Sequence, residues 1–489
     1  MDDVDRRIGA RSFARLLGDW RPPDGRGLAD ALADRVRLLV LDGRLPLQTR
    51  VPAERELAGA LGVSRTTVAA AYDALREAAV LRSRRGSGSW TQLPDDPISG
   101  TTQSPFSPHG DRSLFDLAHA ALPAPSAELR RAAAGAVHDL DALLGGHGYD
   151  LLGLPALRTA IADRFTRRGL PTTPDQVLVT AGAQSAIGLV LAAFTGPGDR
   201  VLVEHPTYPN ALDAIAARGA RAVPVPMGTS PDGTGSWDLD QLTTAVRDVA
   251  PRLVYVIPDF QNPTGAVLDA AGRERLVDLT RRTGTPLLVD ETLAELALDG
   301  PLPPPVATFG DSAQLLTIGS ASKVFWGGLR IGWIRGSAAT VRRLAALRAS
   351  IDLGGPALEQ LVVARLLPEV EAVTAARRTE LVAARAHLLE RVAALFPRWR
   401  PSRPTGGLSL WVDLDEPVSS RLAVAARRHD VLLAAGPRFG LDGAFERRLR
   451  LPYTLRPDRT DAALERLLLA WRGLDHLDTG PPAEPVAVA

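Results

Sequence analysis

The chain of 489 residues carries 57 lysine and arginine residues, and only one of them, Lys323, is a lysine. An arginine stays protonated at any usable pH, whereas a lysine ammonium can lose its proton and become a nucleophile. A neutral amine condenses with an aldehyde to give a Schiff base, which a guanidinium does not do usefully. The alternative is an arginine-biased composition in which one lysine remains by chance. We predict that Lys323 is retained for covalent chemistry with a carbonyl compound.

Other polar residues that suit such a site follow short apolar segments with the character of strands. Gly182, Ala183 and Gln184 open a helix directly after one of these segments, so their backbone amides can hold a phosphate. Ser320 and Arg330 flank Lys323 and can add a hydroxyl and a bidentate cation to the same phosphate. These residues predict a phosphate site next to the lysine amine.

Three further residues suit an aromatic ring. Tyr208, in a turn bracketed by prolines, can stack on a flat ring. Asn262 can donate a hydrogen bond to a phenolate-like oxygen, and Asp290, at the end of an apolar strand, needs a cation such as a protonated ring nitrogen. Taken singly, these residues are also explained as turn, packing or helix-capping residues. Taken together with a phosphate and an aldehyde for Lys323, they describe pyridoxal 5′-phosphate (PLP).

The segments that position these residues alternate with helical patterns between residues 175 and 335. This alternation predicts an α/β domain with a mostly parallel sheet and helices on both faces. Functional residues in such sheets lie at the carboxyl ends of strands. The six predicted strands are QVLVTAG, DRVLVEHP, RLVYVIPDF, TPLLVDE, LLTIGSASK and LRIGWIRG.

Residues 26–90 show a different pattern. Three amphipathic helices are predicted, the third with Ser64 as its N-cap, and a Gly/Arg-rich β-hairpin follows. This order is that of a winged helix, in which the third helix enters the major groove and the hairpin lies on phosphates. A small three-helix domain with ordinary solvated arginines is the alternative. The predicted DNA-binding residues are Arg50, Arg55, Ser64, Arg65, Thr66, Thr67, Arg84, Arg85 and Gly88.

Composition limits the remaining possibilities. The net charge of the chain is only +1 and it contains no cysteine, which excludes disulfides and thiolate metal sites; we predict no metal site. The N-terminus lacks the apolar core of a signal peptide and no apolar run spans a bilayer, so we expect a cytoplasmic protein. Residues 91–113 are predicted to be a flexible linker, residues 114–475 the PLP-binding domain and residues 476–489 a disordered tail.

The segment from Val51 to Trp90 resembles the winged-helix DNA-binding domain of the GntR family of bacterial regulators. The lead-in Val51-Pro52-Ala53-Glu54-Arg55 differs from the family's pattern in having Ala53 instead of serine. The hairpin ends with Gly86-Ser87-Gly88-Ser89-Trp90, where threonine usually precedes the aromatic residue. This resemblance implies binding to a double-stranded DNA operator.

From about residue 114 to 472 the chain resembles a fold-type I aminotransferase. The resemblance implies that Lys323 forms the Schiff base, Asp290 partners the pyridine nitrogen, Asn262 donates to the ring oxygen, and Arg450 holds a substrate or effector carboxylate. It also implies the phosphate and stacking roles given above. In this family a tyrosine usually follows the aspartate and bonds the ring oxygen, but here Glu291, Thr292 and Leu293 follow, so efficient transamination is in doubt.

The combination resembles the MocR subfamily of GntR regulators. It implies a head-to-tail homodimer that senses PLP, a small amine or amino acid, or both, through an aldimine at Lys323. The alternative is a PLP-dependent aminotransferase with a DNA-binding appendage. The identity of the effector, the operator and the sign of regulation do not follow from the sequence.

Overall fold

The computed structural model describes residues 6–22, 27–41, 45, 49–84, 88–92, 114–310 and 313–477. Most of the predicted linker and tail, together with Arg85, lies outside these residues. The chain forms three units: an N-terminal unit, a large domain with an eight-stranded sheet and a small domain with a five-stranded sheet.

The N-terminal unit is a winged helix. Its four strands are arranged in the order β1-β2-β4-β3. Its elements are β1 (Arg6–Arg7), α1 (Ala10–Leu17), α2 (Leu28–Leu41), β2 (Thr49–Arg50), α3 (Glu54–Leu61), α4 (Arg65–Glu77), β3 (Leu81–Arg84) and β4 (Gly88–Thr91). The three predicted helices are α2, α3 and α4, and the predicted hairpin is β3–β4. Residues before position 26 pack onto the same core through Phe13, Leu17 and Trp20. The division of the chain into domains at the predicted positions stays a prediction.

The large domain contains the six predicted strands and two that were not predicted, β8 and β9. Its strands are β6 (Val177–Thr180), β7 (Arg200–His205), β8 (Arg221–Thr229), β9 (Gly235–Trp237), β10 (Leu253–Val256), β11 (Leu287–Asp290), β12 (Leu315–Ser320) and β13 (Gly332–Arg335). The strand order is β6-β13-β12-β11-β10-β7-β8-β9; β7, β8, β10, β11 and β12 run parallel, and β13 and β9 are antiparallel to their neighbours. The predicted mixed, mostly parallel sheet is confirmed.

Helices cover both faces of this sheet, and two separate apolar clusters lie against it. The strands β6, β10, β11 and β12 are buried along their whole length, and their mostly apolar sequences reflect burial of both faces. The helices are α5 (Ser126–Asp139), α6 (Pro155–Arg167), α7 (Ala183–Phe194), α8 (Pro209–Ala217), α9 (Leu239–Val249), α10 (Ala270–Thr283), α11 (Ala338–Arg348) and α12 (Ala357–Leu366).

The small domain is joined to the large domain by the long helix α13 (Val370–Leu395), whose first half packs in the large domain's core and whose second half packs in the small domain's core. Its sheet order is β14-β15-β17-β16-β5. Its other elements are β5 (Phe115–Leu117), β14 (Arg400–Pro401), β15 (Ser409–Asp413), α14 (Ser419–Arg427), β16 (Val431–Ala435), β17 (Arg448–Pro452) and α15 (Pro457–Leu477).

Helix α2 of the N-terminal unit packs against α14 of the small domain. Arg35, only 2% exposed, donates from Nη1 to Ser420 Oγ (2.8 Å) and to Glu446 Oε1 (2.9 Å). Leu38, one turn further along α2, is buried within the apolar cluster of the small domain. Separation of the two units would leave one partner of this buried ion pair without the other, which strongly destabilises a protein. These contacts therefore define the relative placement of the two units.

Candidate functional site

A cavity of about 250 Å³, here called the cofactor cavity, opens where β10, β11 and β12 end. Seven of the predicted cofactor residues line it: Ala183, Gln184, Tyr208, Asn262, Asp290, Lys323 and Arg330. Arg450 lines a second cavity of about 260 Å³, the side cavity, which also contacts Tyr208, Asn262 and Lys323. The two remaining predicted residues lie close to lining residues in the chain: Gly182 precedes Ala183, and Ser320 is two residues before Ser322. The fold therefore brings predicted residues as distant in the chain as Ala183 and Arg450 to adjoining cavities.

One end of the cofactor cavity is suited to an anion. Helix α7 begins at Ala183, and Gly182, with φ +87°, forms the turn that connects it to β6. Arg330 donates from Nη2 to the carbonyl oxygen of Ala181 (2.9 Å), which fixes its guanidinium beside this helix N-terminus. A Cβ atom at position 182 would lie 2.7 Å from Arg330 Nη2. Because free amides and an arginine converge there, this end favours a phosphate group.

A second polar group adds hydroxyls close to this end. Ser320, at the end of β12, accepts a hydrogen bond from the backbone nitrogen of Ser322 (3.1 Å), and the two hydroxyl oxygens are 2.8 Å apart. Ser322 itself lines the cofactor cavity, whereas Ser320 is buried behind it. Ser322 was not predicted, although it lies next to Lys323.

The carboxylate of Asp290 also lines the cofactor cavity and is 4% exposed. Its hydrogen-bond donors among the described residues are neutral: Tyr255 Oη donates to Oδ2 (2.7 Å) and the backbone nitrogen of Thr292 donates to Oδ1 (3.0 Å). Burial raises the pKa of Asp290 above its ordinary value, against the effect of these hydrogen bonds. A cation facing this carboxylate would stabilise its ionised form, and a protonated ring nitrogen is such a cation.

Lys323 lines both the cofactor cavity and the side cavity. Its Nζ donates to the carbonyl oxygen of Ala120 (2.8 Å). Burial and, to a smaller extent, the nearby charge of Arg450 lower the pKa of Lys323 from 10.5 to about 8, while Asp290 acts in the opposite direction. A lysine with this pKa is neutral far more often at physiological pH than an exposed one, as nucleophilic attack on a carbonyl requires.

Arg450, on β17, connects the two cavities. Its Nη1 donates to Asn262 Oδ1 (3.1 Å) and its Nη2 donates to the carbonyl oxygen of Ala118. Because the amide oxygen of Asn262 accepts from Arg450, its Nδ2 is the group left to donate to a ligand. Tyr208 Oη accepts from Asn210 Nδ2 (3.0 Å), which orients the tyrosine ring at the border of the two cavities.

The donors and acceptors of the cofactor cavity fit PLP. An anion site at a helix N-terminus, an amide donor, a buried carboxylate and an amine of lowered pKa match its phosphate, ring oxygen, ring nitrogen and aldehyde in turn. When bound, PLP supplies an electrophilic carbon and an electron-withdrawing ring. The individual roles assigned to the protein residues stay predictions.

Besides Ser322, sequence reasoning missed two contributions to this site. Tyr255 lies within the apolar strand segment LVYV, where it reads as a core residue, yet its hydroxyl orients Asp290. The segment 118–121 acts through backbone carbonyls, which hold Arg450 and Lys323, and a backbone acceptor has no signal in the sequence.

The predicted recognition helix is α4. Ser64 is its N-cap and its Oγ accepts from the backbone nitrogen of Thr67 (3.0 Å), as predicted. Ser64, Arg65 and Thr66 are exposed, and the Arg65 side chain is 73% exposed with only a long contact to Glu54 (3.4 Å). This helix start therefore presents hydroxyls, free amides and a guanidinium to solvent, which is the surface that a DNA groove requires.

The other predicted DNA-binding residues lie on α3 and the hairpin. Arg55 is exposed on α3, and the guanidinium of Arg50 lies 5.7 Å from the ring centre of Trp90. Gly88 has φ +118° and packs against the Arg50 side chain, so a larger residue would displace that arginine. Arg84 ends β3, while Arg85 lies outside the described residues.

Metal sites and membrane spans are both absent from the described residues. No cluster of three or more histidine, aspartate or glutamate side chains could hold a metal ion within the part that the structure describes. None of the helices described is sufficiently long and apolar to cross a lipid bilayer.

Comparison with known proteins agrees with this arrangement. Residues 131–467 match the family model for aminotransferase class I and II, and residues 28–90 match that for bacterial regulatory proteins of the gntR family. The structure is similar to that of LysN, the alpha-aminoadipate aminotransferase of Thermus thermophilus, solved with N-(5′-phosphopyridoxyl)-L-leucine. The TM-score is 0.68 at 29% sequence identity, over 75% of this chain and 94% of that one. The fold and site thus define a PLP-binding fold-type I domain joined to a DNA-binding winged helix.

Proteins named as transcription regulators are also similar to this chain. An uncharacterized HTH-type transcriptional regulator, YisV of Bacillus subtilis, is 27% identical over 474 residues, which cover 90% of this chain and 95% of YisV. The probable rhizopine catabolism regulatory protein MocR of Rhizobium meliloti is 31% identical, over 62% of this chain and 64% of that protein. The chain belongs to the aminotransferase class I and II family and, with its gntR-family domain, to the MocR subfamily of transcription regulators.

Proposed function

We propose that this PLP-binding, DNA-binding regulator changes its affinity for an operator when PLP, an amino compound, or both occupy the cavities around Lys323. The observation that carries the proposal is the direct packing of α2, in the DNA-binding unit, on the small domain that carries Arg450. An effector shifts DNA affinity only as far as it binds two states of the protein differently. Contact between these units is a route by which a change near Arg450 can alter the placement of α4.

The proposed roles of the site residues follow from their contacts. Lys323 holds PLP covalently, Asp290 pairs with the ring nitrogen, Asn262 donates to the ring oxygen and Tyr208 stacks on the ring. Gly182, Ala183, Gln184, Ser320 and Arg330 hold the phosphate. Arg450 binds the carboxylate of an amino acid effector.

The DNA surface is proposed to consist of the start of α4 and the hairpin, with Arg50 and Arg55 on phosphates. We place this activity in the cytoplasm, where a bacterial regulator meets its DNA. We keep residues 26–90, 91–113, 114–475 and 476–489 as the proposed division of the chain.

A head-to-tail homodimer is proposed from exposed apolar residues of the large domain. Tyr149 is 67% exposed and Ile351 is 55% exposed, and their segments adjoin because Arg348 Nη1 donates to the carbonyl oxygen of Leu151 (3.1 Å). Neighbouring exposed apolar side chains favour an interface. Sedimentation of the wild type and of Tyr149→Glu tests it: we expect a dimer and a weakened dimer, and a monomeric wild type would contradict the proposal. Since the chain has no cysteine, one introduced in each unit can be cross-linked between chains to test the head-to-tail order.

The proposed regulation is tested with DNA fragments that the full-length protein selects from its genome. Operator affinity is measured for the PLP-free protein, with PLP, and with PLP and a panel of amines and amino acids. Lys323→Arg is the matched control, because it keeps a positive charge but removes the amine nucleophile. We expect the wild type to respond and the variant not to respond. Operator affinities that are identical under all conditions for the wild type would refute the regulatory proposal.

A second candidate function, aminotransferase activity, is favoured by the assembly of Lys323, Asp290 and Arg450 around adjoining cavities. Multiple-turnover assays with amino acids and 2-oxo acids separate the two candidates. Rapid turnover together with an unresponsive operator affinity would favour the enzyme, and slow or single half-reaction behaviour would favour the regulator.

A further inference from the structure

The side cavity has a wall that belongs to the DNA-binding unit. One wall of it is formed by apolar residues of the small domain: Ala423, Val424, Leu432, Leu433, Ala434 and Phe439. Leu38 of α2, from the DNA-binding unit, completes this wall and is 5% exposed. A ligand in the side cavity is thus enclosed by groups from two separately folded units.

The same face of α2 holds the two units together. Arg35 and Leu38 are three residues apart and lie one helical turn from each other on that face. Arg35 binds Ser420 and Glu446, and it is not among the residues lining the side cavity. Glu446 precedes Arg450 by four residues in the chain, so the docking contact and the carboxylate site share one short segment. Leu38 therefore faces the side cavity, whereas Arg35 holds the two units together.

The chemistry of the wall indicates the class of ligand. No aspartate or glutamate occurs among the described lining residues. Three further basic residues line the side cavity: Arg438, His119 and Arg427. Arg438 is bound to Asp213, with 2.9 Å between Nη1 and Oδ1, and His119 to Asp116, with 2.8 Å between Nδ1 and Oδ2. The side chain of a ligand whose carboxylate lies on Arg450 would pass along Ala, Val, Leu and Phe side chains, and burial of apolar surface there favours an apolar side chain.

We propose that Leu38 is a specificity-determining residue of the effector site, and that the effector is an amino acid with an apolar side chain which contacts the DNA-binding unit directly. This inference rests on the proposed function and assigns the ligand class to its site. The DNA-binding unit then senses the size of the ligand by contact with α2.

The test varies the size of the side chain at position 38 and the size of the amino acid ligand, in the full-length, PLP-loaded protein. Affinities for L-alanine, L-leucine, L-phenylalanine and L-glutamate are measured from the change in the cofactor's absorption spectrum. In Leu38→Ala we expect the affinity for L-phenylalanine relative to L-leucine to rise roughly fivefold or more, and in Leu38→Phe the affinity for L-alanine relative to L-leucine to rise similarly. Opposite shifts cannot arise from general destabilisation, which would weaken all ligands together.

Leu32→Ala is the matched control on the same helix, because Leu32 is buried in the core of the DNA-binding unit itself and does not line the side cavity. We expect it to leave these ratios unchanged. Ratios that shift equally in Leu32→Ala, or that do not change with either substitution of Leu38, would overturn the contact. Tighter binding of L-glutamate than of L-leucine by the wild type would overturn the ligand class. A protein that acquires no cofactor spectrum, or whose operator affinity ignores every ligand, would instead refute the proposed function.

Discussion

The rate at which PLP-free protein captures PLP should depend on pH through Lys323. The pKa of this lysine is lowered from 10.5 to about 8, first by burial and then by Arg450. At pH 7 an amine with a pKa of 8 is neutral in about one molecule in ten, and one with a pKa of 10.5 in about one in 3,000. Since only the neutral amine attacks, the available nucleophile is roughly 300-fold more abundant in the folded site.

The direction of the pH dependence of the capture rate follows from the lowered pKa of Lys323. Below pH 8 the capture rate should rise about tenfold for each pH unit, and above pH 8 it should level off, because the amine is then already neutral. A free amine such as Nα-acetyllysine should continue to rise to much higher pH.

The assay is rapid mixing of PLP-free protein with PLP from pH 6 to 10, followed by visible absorbance. Because PLP itself titrates in this range, each rate is divided by that of Nα-acetyllysine under the same conditions. This ratio should be constant below pH 8 and fall about tenfold for each pH unit above it, because only the free amine continues to lose protons there. Lys323→Arg should show no capture at any pH. A ratio that stays constant up to pH 10 would refute the argument that burial lowers the pKa of Lys323.

Three further predictions concern single residues. Gly182→Ala should weaken PLP binding by about 1–3 kcal/mol, or roughly 5- to 150-fold, because of the strained φ and the approach to Arg330. Pyridoxal, which lacks the phosphate, should be affected less. Gly188→Ala in the same helix, where a Cβ meets open space, should not weaken binding, and equal effects in the two variants would contradict the phosphate role. Tyr255→Phe removes a 2.7 Å hydrogen bond to Asp290 and should reduce PLP affinity by about 1 kcal/mol, or roughly fivefold, in an absorbance titration; an unchanged affinity would show that the hydroxyl does not support the carboxylate. Arg65→Ala should weaken DNA binding and reduce its salt dependence by about one phosphate contact. Arg130 is exposed on α5, and Arg130→Ala serves as a control that should leave both the affinity and its salt dependence unchanged. The same loss in both variants would place the DNA elsewhere on the protein.

Local patterns explain why much of the fold and site was predictable. Each of the six predicted strands is a continuous apolar run because both faces of the sheet are buried, and each predicted cofactor residue follows or borders such a run. Lys323 was identifiable because arginine replaces lysine everywhere else in the chain. The N-cap role of Ser64 follows from one residue type placed before a helical pattern.

The features that were not predictable depend on contacts between distant segments. The ion pair between Arg35 and Glu446 joins residues 411 positions apart, and neither residue differs locally from an ordinary surface charge. Tyr255 was hidden within an apolar strand, and the carbonyl of Ala120 carries no side-chain signal. Such contacts arise only when the units pack, so sequence periodicity cannot indicate them.

The position of the single lysine also makes the cofactor cavity chemically addressable. Trypsin cleaves after Lys323 only while its amine is unmodified, and the nearest arginines on either side are Arg282 and Arg330. A reductively trapped adduct therefore yields one uncut peptide of residues 283–330, and an unmodified chain yields residues 283–323 and 324–330. The ratio of these peptides in a mass spectrum reports the fraction of molecules that carry an adduct, directly in a cell extract and without purification.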